Sequence, residues 1–122
     1  MKSQDTGIKR ILKAFVYSYQ GFIAVFKSEA AFRQDLAVFT IFGLIALATF
    51  PSAITKAHLI GALILILIAE LANTAIETII DRISPDYHEL SKKAKDIGSL
   101  IVLLAFINAI LQWGAAWFES GF

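Results

Sequence analysis

Along the first part of the chain, apolar residues recur every three to four positions: Ile8, Ile11, Leu12, Phe15, Val16, Tyr19, Phe22, Ile23 and Phe26. That spacing marks one face of a helix. Lys9, Arg10, Lys13, Tyr17, Gln20 and Gly21 fall on the other side. The pattern predicts an amphipathic helix over about residues 6–27, and its basic and aromatic residues suit a membrane interface. The pattern then changes. Glu29-Ala30-Ala31-Phe32-Arg33-Gln34-Asp35 leads into residues 36–50, which carry no charge and stop at Pro51. Ser28 is expected to cap this helix, with Glu29 in its first turn near the positive end of the dipole. The charge-free part is about 15 residues, short of the roughly 20 needed to span a bilayer. The span is therefore expected over about residues 29–50, with Arg33 snorkelling to the headgroups. A second apolar segment predicts a span over about residues 54–80, and a third over about residues 90–118. Trp113, Trp117 and Phe118 give the third an aromatic end. Ser84-Pro85-Asp86 reads as the start of the last helix, with Ser84 as cap and Pro85 at the first position.

The second span breaks its own pattern. The unbroken apolar run of residues 59–69 is followed by Glu70-Leu71-Ala72-Asn73-Thr74-Ala75-Ile76-Glu77-Thr78-Ile79-Ile80-Asp81. At ~100° per residue, Glu70, Asn73, Glu77 and Asp81 fall within about 80° of one another. One stripe thus carries three carboxylates and a carboxamide. Acids in a membrane-length apolar segment are costly and rarely face lipid. A polar seam between packed helices is the plain reading of one such residue. Three acids in register favour a site that handles a cation, a proton or a phosphate. A rise of ~1.5 Å per residue puts Glu70 about 24 Å from Ile54, just inside the far interface of a ~30 Å core, with Glu77 beyond it. An acid near the headgroups argues against a transport site at mid-membrane.

The chain has 122 residues, enough for a single domain over residues 1–122, and is 57% hydrophobic with 17% charged. A formal charge of +1 gives no overall field for nucleic acid, and the absence of cysteine excludes disulfides. The polar N-terminus, residues 1–5, has no apolar core behind it, so no cleaved signal peptide is expected. The distribution of charge is more informative. Lys2, Lys9, Arg10, Lys13, Lys27 and Arg33 precede the first span, and Arg82, Lys92, Lys93 and Lys95 lie between the second and third. Lys56 alone lies on the other side. The positive-inside rule then makes the N-terminus cytoplasmic and the C-terminus external. Glu29, Glu70, Glu77 and Lys95 gather at the cytoplasmic face, where ATP and Mg²⁺ are available.

These residues suit phosphate chemistry. Glu29 and Glu77 could share a Mg²⁺, which takes one or two carboxylates plus substrate phosphates. Lys95 could meet phosphate as a point charge. Glu70, the deepest acid, could take a proton from a hydroxyl at headgroup level. His58 and His88 are separated by the membrane and cannot pair on a metal. Gly-x-x-x-x-Gly-Lys-Ser/Thr and the soluble-kinase motifs are absent. The residues alone reach a cytoplasm-facing acidic site on a three-span membrane protein. A small multidrug-type transporter is the rival from another class, but it needs four spans and a deeper acid. A non-catalytic membrane assembly subunit is a third reading, weakened by the number of exposed acids.

Three motifs carry a resemblance that covers nearly the whole chain. They are Glu29-Ala30-Ala31-Phe32-Arg33-Gln34, then Glu70-Leu71-Ala72-Asn73-Thr74-Ala75-Ile76-Glu77 with Asp81-Arg82, then Tyr87-His88-Glu89-Leu90-Ser91 with Ala94-Lys95-Asp96. The sequence resembles the membrane-integral bacterial diacylglycerol kinases. The resemblance implies an all-α membrane protein of the bacterial inner membrane, a homotrimer whose subunits each have an N-terminal surface helix and three transmembrane helices. It implies transfer of the γ-phosphoryl group of Mg-ATP to diacylglycerol, giving phosphatidic acid. Another branch of the family acts on undecaprenol, and Glu29-Ala30-Ala31-Phe32-Arg33-Gln34 looks more like the diacylglycerol branch. By the same resemblance, Glu70 is the general base with Asn73 beside it, and Glu29 and Glu77 hold the metal at the ATP phosphates. Arg10, Tyr17, Asp86, Tyr87, His88, Lys95 and Asp96 contact nucleotide. Arg10, Ala14, Ser99 and Trp113 border the lipid with Glu70. Small residues Ala69, Ala72, Ala75 and Ala105 would allow close helix approach. Lys92-Lys93 stand where family members often have Gly-Arg, adding a charge near the nucleotide.

Overall fold

The structure is a computed structural model that describes residues 5–121, so Lys2 and the rest of residues 1–4 lie outside the described residues. It is all helical: α1 (Gly7–Ser28), α2 (Ala30–Thr49), α3 (Ala53–Ile83) and α4 (Glu89–Ser120). Three of these helices, α2, α3 and α4, are long and apolar enough to cross a membrane. At ~1.5 Å per residue, the 20 residues of α2 match a ~30 Å hydrocarbon core. The 31 of α3 and 32 of α4 exceed it by about ten residues each. The chain forms two compact units, divided between Ala37 and Val38 inside α2.

In the first unit, the start of α2 differs from the sequence expectation. Ser28 ends α1 instead of capping α2, and Glu29 is the single residue between them, with an extended backbone (φ −116°, ψ 102°). Glu29 N–H still donates to Val25 O at 2.9 Å, while its own carbonyl accepts from Arg33 N at 3.3 Å. The residue therefore closes one helix and opens the next, and no acid lies in the first turn of α2. Arg33 also acts at this junction. Its guanidinium turns back to donate to the Phe26 and Lys27 carbonyls and lies over the Phe26 ring. A cation on the last carbonyls of a helix satisfies acceptors that have no intrahelical partner. Phe32 is buried, with its ring edge-on to Phe22 at 5.9 Å.

In the second unit, α3 and α4 pack antiparallel. Small residues bring them together: Ala62 and Ala69 of α3 meet Ala105 and Ala109 of α4 around Ile66. Ala69 and Ala105 are thus used within one chain, whereas Ala75 is exposed. Toward the Pro51 end, Ala46 and Phe50 of α2 pack on Leu59, with Trp113 and Ala116 alongside. The Trp113 indole stands edge-on to Phe42 and Phe50, and its Nε1–H donates to Leu59 O at 3.2 Å. Trp113→Phe keeps a ring but loses that hydrogen bond, at a cost of roughly 1 kcal/mol. We expect a lower midpoint of thermal unfolding in detergent.

Ile64, Ile68, Leu103, Leu104, Ile110 and Leu111 are exposed in the single chain. So much apolar surface on two adjacent helices needs lipid or neighbouring helices to cover it.

The turn into α4 corrects another expectation. α3 runs on to Ile83, with Ser84 as its C-terminal cap residue, and α4 begins only at Glu89. Ser84 Oγ accepts from Asp86 N at 3.1 Å, which closes a tight turn over Pro85 and does not start a helix. The N-cap is His88, whose Nδ1 accepts from Leu90 N at 3.1 Å.

Candidate functional site

The polar stripe lies on the C-terminal half of α3. The face that packs on α4 runs through Ala62, Ile66 and Ala69, and helical spacing carries it on to Asn73. Asn73 is half-buried, Glu70 is half-buried beside it, and Glu77 is exposed one turn further on. Asn73 Nδ2 donates to Glu77 Oε1 at 3.3 Å. That bond orients the carboxamide, because only the NH₂ end can donate to a carboxylate. The Asn73 oxygen then faces α4 at Gly98, a buried glycine.

Further along, the helix ends approach each other through charge. Lys95 Nζ of α4 lies 3.0 Å from Asp81 Oδ1 of α3, and Lys92 Nζ lies 2.6 Å from Asp96 Oδ2 one turn away. These pairs are largely solvent-exposed, so each adds little stability and either lysine can turn to an incoming anion at small cost. Lys92 and Lys93 are helical here, in the first turns of α4, so the departure from Gly-Arg adds a cation on a helix surface. The paired residues help line an open cleft of ≈ 450 Å³, together with Asp86, Tyr87 and His88 among others. With Nδ1 accepting from the backbone, the neutral His88 ring carries its proton on Nε2, the nitrogen left for a ligand.

The fold thus brings Asp86, Tyr87, His88, Lys95 and Asp96 to one cleft, and sets Asn73 beside Glu77 on α3. Ser99 is exposed on α4, next to Gly98. Trp113 is set apart from them. It packs at Leu59, about 22 Å along α4 from Gly98 at ~1.5 Å per residue. In the first unit, Arg10, Ala14 and Tyr17 share one face of α1 by their spacing and are exposed, and Glu29 occupies the break after α1. Sequence reasoning missed two residues of this region. Asp81 belonged to the stripe but was given no partner, and its distance in sequence from Lys95 hid the pair. Gly98 gave no signal, because a glycine in an apolar helix says nothing about what lies opposite.

Among the described residues, no group of three or more His, Cys, Asp or Glu is placed to hold a metal alone. An exposed carboxylate such as Glu77 suits Mg²⁺ in another way, since that ion usually keeps waters and takes only one or two carboxylates beside substrate phosphates.

Residues 16–117 match the family model described as prokaryotic diacylglycerol kinase. The chain belongs to that family. It is 44% identical over 113 residues to "Diacylglycerol kinase" of Escherichia coli (strain K12), covering 93% of each chain. It is 43% identical over 109 residues to the protein of that name from Pseudomonas aeruginosa, covering 89% of each. Against the Haemophilus influenzae protein, also named diacylglycerol kinase, identity is 37% over 117 residues, covering 94% of this chain and 98% of the other. Members of this family and the three apolar helices together indicate a multi-pass membrane protein.

Proposed function

We propose that this protein is an ATP-dependent diacylglycerol kinase that forms phosphatidic acid. The observation that carries the reading is near full-length similarity to diacylglycerol kinases in a chain whose α3 stripe and α3–α4 cleft offer a proton acceptor beside phosphate-binding groups. In the proposed reaction the lipid hydroxyl oxygen bonds to the γ-phosphorus, the bond to the bridging oxygen of ADP breaks, and Glu70 accepts the hydroxyl proton. Asn73 orients groups beside Glu70. Lys95 and Asp96, with Arg10, Tyr17, Asp86, Tyr87 and His88, hold the nucleotide. Ala14, Ser99 and Trp113 border the lipid with Arg10. Glu29 and Glu77 would be the carboxylates for Mg²⁺, which would supply charge neutralisation at the phosphates. Phosphoryl transfer depends more on positioning and charge than on covalent chemistry, so a small site of this kind suffices.

We further infer a homotrimer with its sites at subunit interfaces. The exposed apolar faces of α3 and α4 support it, as does a chain with too few spans to enclose a site. The membrane in this reading is the bacterial inner membrane, and the one-sided basic residues support an N-terminus and a site on the cytoplasmic side. α1 lies in the interface, its aromatic and basic residues suiting the headgroup region.

The test is ATP consumption by the purified protein in mixed micelles with diacylglycerol, with undecaprenol and with no lipid alcohol. Diacylglycerol should support the highest kcat/KM. Preference for undecaprenol under matched conditions would move the protein to that branch, and ATP consumption indifferent to any lipid alcohol would remove the kinase reading.

A further inference from the structure

Gly98 stands on α4 opposite the polar stripe and is buried. A Cβ built on it would collide with Asn73 Oδ1, approach Asn73 Cγ to 3.2 Å and touch Ile76 Cδ1 at 3.5 Å. The carboxamide oxygen thus occupies the space that any other residue would fill with its Cβ. Gly98 does not have a positive φ, so the position needs glycine for room and not for backbone conformation. Glycine inside a helix is intrinsically less favourable than alanine, and the contact with Asn73 gives that choice a physical reason. Asn73 Oδ1 is buried and has no hydrogen-bond partner, while Nδ2 at the other end of the group donates to Glu77 Oε1. The oxygen end is therefore held by shape and the nitrogen end by a carboxylate.

We propose that Gly98 is a positioning residue that seats the Asn73 carboxamide on Glu77, an inference that rests on the assignment of Asn73 and Glu77 to the site above. Alanine at 98 leaves two responses. The carboxamide rotates out of the space and its NH₂ leaves Glu77, or α3 and α4 separate and strain the contact of Ala69 with Ala105. Turning the group over in place does not help, because its oxygen would then face the carboxylate.

The experiment compares the purified full chain with Gly98→Ala, Asn73→Ala, Glu77→Gln and the Gly98→Ala/Asn73→Ala double variant. One readout is the ¹⁵N–¹H signal of the Asn73 side-chain amide, identified by its loss in Asn73→Ala. The other is kcat with its dependence on Mg²⁺. Gly98→Ala should move the amide signal, as Glu77→Gln should, because each changes what the NH₂ meets. A misplaced group in the site should lower kcat about tenfold to a hundredfold and displace the Mg²⁺ response in the direction that Glu77→Gln does. In the Asn73→Ala background, where the space is already free, Gly98→Ala should change neither kcat nor the Mg²⁺ response further. An unmoved amide signal in Gly98→Ala overturns the proposal. So does an equal loss of kcat from Gly98→Ala with and without the carboxamide, since Gly98 would then be serving another contact. Should Gly98→Ala alone fail to fold, the double variant is expected to restore folded protein, and its failure as well would overturn the seating. A moved amide signal beside parental kinetics in both Asn73→Ala and Glu77→Gln would instead overturn the assignment of those two residues to the site, leaving the seating intact.

Discussion

Glu70→Gln is expected to lower kcat by roughly 10²–10⁴-fold, the usual worth of a positioned general base, with little change in the affinity for Mg-ATP. Glutamine keeps the shape of the side chain and its capacity to hydrogen-bond, but it cannot accept the proton of a lipid hydroxyl. Glu70 is half-buried, adjacent to the small-residue face where Ala69 packs on Ala105. Glu77 lies two turns nearer the charged end of the α3–α4 pair, where Asp81 and Lys95 meet. The deeper acid is thus the one a hydroxyl near the apolar region would reach, and the outer one lies nearer Lys95 and the proposed nucleotide cleft. The fold should survive the change, because a neutral amide is easier to place beside apolar surroundings than a carboxylate. The measurement is kcat and nucleotide affinity on the same assembled protein. A kcat within about threefold of the parent, far below the usual contribution of a base, would leave positioning and charge neutralisation as the whole mechanism.

Glu77→Gln is expected to raise the Mg²⁺ concentration needed for half-maximal activity and to lower kcat/KM for Mg-ATP by about tenfold to a hundredfold, the scale of a lost charge-assisted contact of ~1.5–3 kcal/mol. The substitution is informative because it is conservative in structure. Glutamine can place its carbonyl oxygen where Oε1 accepts from Asn73 Nδ2, so the bond along α3 can persist while the charge is lost. Glu77 is itself exposed on the last third of α3, and stability should change little. Glu29→Gln, at the break between α1 and α2, should displace the Mg²⁺ response in the same direction. Parental Mg²⁺ curves in both variants would reduce the two acids to structural polar residues.

The two substitutions act on residues that the sequence already exposed to view. A run of apolar residues long enough to cross a bilayer makes every acid within it conspicuous, because the cost of such a charge must be met by a partner or a function. Helical periodicity then put Glu70, Asn73, Glu77 and Asp81 on one stripe without any tertiary information. The helix ends were harder to read. Ser28 and Ser84 are good cap residues, yet the chain uses Glu29 as the break and the His88 imidazole as the cap. Several polar side chains near one boundary compete for the same backbone groups, and local propensity does not decide among them.

By itself, then, the sequence determined the all-helical class, the three apolar helices and the polar face of α3, because each follows from the spacing of residues within one helix. The antiparallel packing of α3 on α4 decided the rest. It chose Lys95 as the partner of Asp81, gathered Asp86, Tyr87 and His88 with Lys95 and Asp96 around one cleft, and set Gly98 against the Asn73 carboxamide. These relations depend on the register and rotation of one helix against another. Close-packed alanines at the α3–α4 contact fix that register, and their steric fit is a property of two surfaces together.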